Sequence, residues 1–139
     1  MGTYVRAHFE VFIEGYGWQH YSEAGIEQNY ELFEKLGLDD GHCENPIHDP
    51  IAAVKGFPED AHIITRLCYD EHSDFYASWF DAVEIRELVE WHSRHLRRDT
   101  SDLNLNQYGY AFGHAWKDFV KYKDTWPVDD VRMVFWFDC

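Results

Sequence analysis

Hydrophobic and polar residues alternate along both ends of the chain, which is the pattern of a β-strand with one buried face. The first alternating segment runs from Thr3 to Glu14, and the last runs from Val131 to Asp138. One face of the first segment is wholly apolar and consists of Val5, Ala7, Phe9, Val11 and Ile13. The matching face of the last segment consists of Val131, Met133, Phe135 and Phe137. The pattern therefore predicts a strand at each end of the chain.

Turn and capping residues predict the elements between these two strands. Gly15 and Gly17 predict a turn, so that residues 18–21 return as the second strand of a hairpin. Asp81 and Glu84 have the spacing of a capping box, which begins a helix that extends to about residue 96. The other predicted elements are a helix from an N-cap at Asn29 to Gly37, a long loop over 38–60, a helix rather than a strand over 61–69, a strand over 75–80 and a helix over 110–122.

These elements predict an α+β fold in one domain that spans residues 1–139. Strands at both termini with helices between them favour an antiparallel or mixed sheet in which the terminal strands are neighbours. Helices pack on the apolar face of this sheet. We expect the other face to remain open, as is common in antiparallel sheets.

Composition and charge narrow the range of functions. The chain carries 12 Lys and Arg against 26 Asp and Glu, a net charge of −14, and such a surface repels duplex DNA and anionic lipid. No segment approaches the roughly 20 apolar residues of a membrane-spanning helix. The three cysteines form no CxxC pattern, which suits a reducing cytoplasm better than a disulfide framework. We therefore expect neither nucleic acid nor membrane as a partner.

The second face of the terminal strands carries the chemistry that singles out a candidate site. His8 and Glu10 lie on this face of the first strand, and Arg132 and Trp136 lie on this face of the last strand. Together they offer a guanidinium group for phosphate, an indole for stacking and a carboxylate for sugar hydroxyls. An ordinary solvated face and an oligomer interface are the other readings of the same pattern.

Motifs of known catalytic centres are absent from the sequence. Ser78 does not lie in a GxSxG elbow, and no glycine-rich phosphate loop follows a predicted strand. The chain has nine histidines but no HExxH or CxxC pattern of metal ligands. We therefore predict no catalytic residues, no metal site and no cofactor, and an enzyme is the less favoured class.

Five short motifs follow one another along the chain, namely Ala7-His8-Phe9-Glu10, Asn29-Tyr30-Glu31-Leu32-Phe33, Gly56-Phe57-Pro58, Ser78-Trp79 and Val134-Phe135-Trp136-Phe137-Asp138. In this order they resemble the motifs of a family of small phage and bacterial proteins that begin Met-Gly-Ala-Asp-Ile-His. The resemblance covers most of the chain, although Arg6-Ala7 stands here in place of the Asp-Ile of the family. It implies a phage setting, in which small aromatic-rich proteins without enzyme motifs look like antagonists of host defence.

These observations predict a non-catalytic homo-oligomer that sequesters a nucleotide-derived immune signal in the cytoplasm of an infected bacterium. One alternative is a phosphodiesterase or hydrolase in which His8 is the general base or a metal ligand and Glu10 is its partner. Another is an acidic decoy that binds a host defence protein directly. The predicted ligand-binding residues are His8, Glu10, Asn29, Tyr30, Ser78, Trp79, Arg132 and Trp136.

Overall fold

Four strands and three helices make up the part of the chain that the computed structural model describes, namely residues 2–24, 26, 30–38, 49–72, 75–95 and 128–138. The strands form one antiparallel sheet in the order β2-β1-β4-β3. Within this part, every helix is too short or too polar to cross a bilayer. The elements are β1 (Tyr4–Ile13), β2 (Gly17–Ala24), α1 (Tyr30–Leu36), α2 (Ile63–His72), β3 (Phe75–Asp81), α3 (Ala82–His95) and β4 (Val128–Asp138).

The predicted α+β class and the pairing of the terminal strands are confirmed. The strands β1 and β4 are the two central strands, and β2 and β3 are the edges. Each expected strand is present, and the helix predicted over 61–69 is observed as α2 (Ile63–His72). The helix expected over 110–122 and the N-cap expected at Asn29 lie outside the described residues.

The apolar faces of β1 and β4 form the core, because antiparallel pairing places their alternating apolar residues side by side. Val5 lies opposite Phe137, and Phe9 lies opposite Met133. Helices α1 and α3 cover this face. Phe33 of α1 packs edge-to-face on Phe137 with ring centroids 5.4 Å apart. The core residues that the helices contribute are Leu32, Phe33, Leu36, Ile85 and Leu88.

Local signals in the sequence fix where these two helices begin and end. Gly37 has a φ angle of +101° after α1, which glycine tolerates, and the Leu38 N–H donates to the carbonyl oxygen of Phe33 at 2.9 Å. At the start of α3 the capping box forms in both directions. The Glu84 N–H donates to Asp81 Oδ1 at 2.8 Å, and the Asp81 N–H donates to Glu84 Oε1 at 2.9 Å.

Helix α2 lies on the opposite face of the sheet, which corrects the expectation of an open face. Its inner side is polar or aromatic: Thr65 donates a hydrogen bond to a carboxylate on β1, and Tyr69 packs against an indole on β4. The residues whose spacing favoured a helix point outward instead. Ile63, Ile64 and Leu67 are 58%, 47% and 54% exposed. Helix α2 is therefore held by polar and aromatic contacts rather than by the burial of an aliphatic stripe.

Truncation of Phe33 tests the core between α1 and the sheet. Phe33 is fully buried, so Phe33→Ala leaves a cavity and is expected to lower the free energy of unfolding by about 3–5 kcal/mol. The exposed Ile64 of α2 provides a control, because Ile64→Ala is expected to change the same quantity by less than about 0.5 kcal/mol. Urea denaturation measures both, and equal losses would contradict this packing.

Candidate functional site

The structure brings four of the predicted site residues together on the second face of β1 and β4. Glu10 lies directly opposite Arg132 in the β1–β4 register, and His8 and Trp136 lie further along the same face. All four are buried, with exposed fractions of 3% for His8, 0% for Glu10, 3% for Arg132 and 0% for Trp136. Their predicted proximity is thus present, but α2 and the loop before it cover the face.

Glu10 and Arg132 form a buried ion pair that accepts and donates further hydrogen bonds within the protein. Arg132 Nε donates to Glu10 Oε1 at 2.9 Å, and Nη2 lies 2.7 Å from the same oxygen in a contact that is electrostatic only. Glu10 Oε2 accepts from the Thr65 hydroxyl and from the His62 N–H, both at 2.8 Å. Arg132 Nη1 donates to Asp60 Oδ1 at 3.0 Å. The pair therefore joins the sheet to the first turn of α2 and to the preceding loop.

Aromatic rings enclose the guanidinium group of Arg132. Its Cζ lies 4.0 Å from the centroid of the Trp18 ring and 5.9 Å from that of Trp79. The ammonium group of Lys55 lies 3.8 Å from the centroid of the Trp79 ring. Cation–π contacts of this kind stabilise a cation that has been removed from water. Trp79, which the sequence predicts as a ligand-binding residue, thus contacts two cations of the protein itself.

Trp136 is stacked inside the protein. Its ring lies parallel to that of His8, with centroids 5.3 Å apart and an interplanar angle of 12°. Tyr69 and Phe57 pack against it edge-on at 5.3 Å and 6.1 Å. The indole Nε1 is buried and donates to no described residue. The indole therefore serves as the centre of an aromatic cluster between the sheet and α2.

The remaining predicted site residues lie elsewhere. Ser78 lies opposite Phe135 on the core face of the sheet, and its Oγ accepts a hydrogen bond from the Lys55 N–H at 3.0 Å. Tyr30 begins α1 and packs edge-to-face on Phe33 at 5.4 Å. Asn29 lies outside the described residues. Tyr30 and Ser78 are therefore separated by the sheet from His8 and Glu10.

A β-bulge on β2 adds residues to this face that the sequence analysis missed. His8 pairs with Glu23, and Glu10 pairs with His20, so β2 advances by three residues while β1 advances by two. In a regular strand, positions 20 and 23 would lie on opposite faces. The extra residue of the bulge turns both to the face of His8. Short-range alternation in the sequence contains no signal for such a bulge.

His8 and His20 form a close pair of imidazoles. His8 Nδ1 lies 3.0 Å from His20 Nε2, so one of the two nitrogens donates and the other accepts. Burial, with a smaller contribution from the neighbouring His20, lowers the pKa of His8 from 6.5 to about 4. Burial also lowers the pKa of His20, with a second contribution from His62. Both rings are therefore neutral at physiological pH.

An open cavity of about 360 Å³ lies between β1, β2 and α2, and we refer to it as the β1–α2 cavity. Arg6 at its wall is paired with Asp138 through a contact of 2.7 Å and is 45% exposed. The cavity adjoins the buried face at His8, which lies in its wall. Its polar lining residues are Arg6, His8, Glu23, Cys68 and Glu71.

Three of these lining residues have metal-ligating side chains that converge. One donor atom from each of His8, Glu23 and Cys68 lies within 4.8 Å of the others. Burial raises the pKa of the Cys68 thiol, and the negative charges of Glu23 and Glu71 raise it further. Since the three residues come from β1, β2 and α2, no spacing pattern in the sequence connects them.

Comparison of the chain with known protein families, with curated proteins and with solved structures finds no match. The resemblance to the phage family remains a prediction that rests on the short motifs alone.

Removal of Arg132 tests the buried ion pair. Arg132→Met leaves the Glu10 carboxylate buried without its cation, and we expect the free energy of unfolding to fall by about 3–5 kcal/mol. The matched control is Arg6→Met at the exposed pair with Asp138, where the loss is expected to stay below about 1 kcal/mol. Urea denaturation compares the two. A loss for Arg132→Met no larger than that for Arg6→Met would show that the buried pair contributes no special stability.

The lowered pKa of His8 makes the stability depend on pH. The unfolded chain protonates this side chain below pH 6.5, whereas the folded protein does so only near pH 4. The stabilisation from neutral His8 is therefore complete above pH 6.5 and is lost as the pH falls toward 4. We expect the free energy of unfolding of the wild type to fall more steeply over this interval than that of His8→Gln. Urea denaturation with a chelator present measures this difference, and parallel slopes would refute it.

Proposed function

We propose that this protein binds a small ligand in the β1–α2 cavity and releases it chemically unchanged. The observation that carries the proposal is the position of the cavity, which adjoins the buried polar face at His8. Five polar side chains reach it, and they come from β1, β2 and α2. Sites for small ligands are concave and have a few convergent polar groups, which is the arrangement here.

The charges around the cavity favour a neutral or cationic ligand. Glu23 and Glu71 contribute two carboxylates, whereas the guanidinium group of Arg6 is already paired with Asp138. Arg132, which was expected to meet a phosphate group, is 4% exposed at its side chain and is bound to Glu10 and Asp60. A nucleotide-derived ligand, the phage setting, the cytoplasmic location and the homo-oligomer remain predictions from the sequence.

Binding is better supported than the hydrolase alternative. That alternative needs Glu10 as the partner of His8, but the Glu10 carboxylate is fully buried and accepts hydrogen bonds from Arg132, His62 and Thr65. A general base must reach the proton that it removes. The Glu10 carboxylate instead accepts hydrogen bonds that hold α2 against the sheet.

A cavity-filling substitution tests the proposal. We expect ligands that occupy the cavity to raise the melting temperature of the wild type, and Cys68→Tyr to abolish this shift because its ring fills the space. The matched control is Leu67→Tyr, which places the same ring on the exposed side of α2 and should leave the shift intact. A thermal-shift screen over nucleotides, neutral and cationic small molecules and metal ions measures it. Chromatography after heat denaturation then shows whether the ligand is unchanged.

Three results would contradict this proposal. One is the absence of stabilisation by every compound in the screen, and another is an equal shift in Cys68→Tyr and the wild type. Recovery of a converted product would favour the hydrolase. The acidic decoy would instead show no shift with small ligands and would bind a protein partner with an affinity that falls steeply as the salt concentration rises.

A further inference from the structure

We propose that the ligand of the β1–α2 cavity is a divalent transition-metal ion held by His8, Glu23 and Cys68. This inference rests on the proposed binding function and names the ligand class for the same cavity. Its basis is geometric, because one imidazole nitrogen, one carboxylate oxygen and one thiol sulfur lie within 4.8 Å of one another at the wall of an open cavity.

The separation of these donors suits a metal ion after small side-chain movements. Bonds of about 2.0–2.3 Å around a tetrahedral ion place neighbouring donors roughly 3.3–3.8 Å apart. A decrease of about 1 Å in the distances between the three donor atoms therefore brings them to this spacing. Glu23 is exposed and Cys68 is half-buried, so their side chains have room to move, whereas the ring of His8 is fixed by its stack on Trp136.

The chemistry of the donors selects the kind of ion. A thiolate and an imidazole favour Zn²⁺ and similar transition metals, whereas Mg²⁺ and Ca²⁺ require oxygen ligands. The charges agree, since Glu23 and Glu71 both lie close enough to Cys68 to oppose its negative charge. A divalent cation between these groups relieves that repulsion.

His20 acts as a positioning residue for this site. His8 Nδ1 is engaged with His20 Nε2 at 3.0 Å, which leaves His8 Nε2 as the nitrogen for a metal. If His8 donates from Nδ1 and His20 accepts, the lone pair on His8 Nε2 is free. Histidine ligands in metal sites commonly donate their second N–H to such an acceptor, which fixes the ring and its tautomer.

Cobalt provides a direct spectroscopic test, because a Co²⁺–thiolate bond gives a charge-transfer absorption that other ligands do not. We expect the wild-type chain to develop this band on titration with Co²⁺, and Cys68→Ser to lose it. The other two thiols provide matched controls, so Cys43→Ser and Cys139→Ser should retain the band. Absence of the band in the wild type, or its persistence in Cys68→Ser, would overturn the site.

Glutamine variants of two carboxylates extend the test to residues whose replacement leaves the core intact. Competing ions test the selectivity of the site. Glu23→Gln is expected to weaken Co²⁺ binding by at least about tenfold, whereas Glu71→Gln, at a lining residue outside the three-donor set, is expected to change it far less. Zn²⁺ should displace Co²⁺, and Mg²⁺ and Ca²⁺ should not. Equal effects of the two glutamine variants would contradict the assignment of Glu23.

The role of His20 has its own readout. His20→Phe removes the acceptor and is expected to weaken Co²⁺ binding by about 10–100-fold, the range for outer-shell partners of metal ligands. His20→Gln supplies a carbonyl oxygen as acceptor and is expected to restore most of the affinity. Loss of affinity in both variants, or in neither, would refute the positioning role.

The two proposals fail in different ways. If a non-metal compound stabilises the wild type but not Cys68→Tyr, and no Co²⁺–thiolate band forms, the binding function stands and the metal inference is wrong. If neither metals nor small molecules produce a shift that depends on the cavity, both are wrong. A band that requires Cys68, together with a Zn²⁺-induced thermal shift that requires Glu23, supports both.

Discussion

The ion pair between Glu10 and Arg132 determines how the polar side of this protein is built. Burying two charges is unfavourable unless each finds further partners, and one pair of strands cannot supply them. Here the partners come from the start of α2 and the loop before it, through Thr65, the His62 N–H and Asp60. Glu10 also lies at the N-terminus of α2, where a negative charge is favourable. These polar contacts therefore position the start of α2, while Ile63, Ile64 and Leu67 are left facing outward.

The β1–α2 cavity follows from that position together with the bulge in β2. The ion pair fixes the first turn of α2 over β1, which brings Cys68 and Glu71 above the region of His8. The bulge then turns both His20 and Glu23 toward the same side. A strand without the extra residue would present only one of these two side chains there. The convergence of the donors is thus a consequence of one irregularity in the sheet and one polar contact with a helix.

The sequence was sufficient for the features that depend on local periodicity and not for those that depend on long-range polar contacts. Alternation predicted β1 and β4, and the spacing of Asp81 and Glu84 predicted the cap of α3. The proximity of Glu10 and Arg132 could also be predicted from the sequence, since both lie on the polar face of neighbouring strands. The pairing of Glu10 with Arg132, rather than of either residue with a ligand, depends on hydrogen bonds from Thr65 and to Asp60. Both of these residues are 50 or more residues from Glu10 along the chain. No local pattern reports such partners.

Some residues that line the cavity also pack the sheet against α2, and this limits which substitutions can test function. His8 stacks on Trp136, which contacts Tyr69 of α2, and so a change at His8 alters both the cavity and the packing of the sheet against the helix. A lost activity in such a variant would not distinguish a ligand contact from a displaced α2. Glu23 is exposed and lies at the edge of the sheet, and Cys68 is half-buried on the cavity side of α2. Because neither contributes to the buried ion pair or the aromatic cluster, these two positions separate binding from folding.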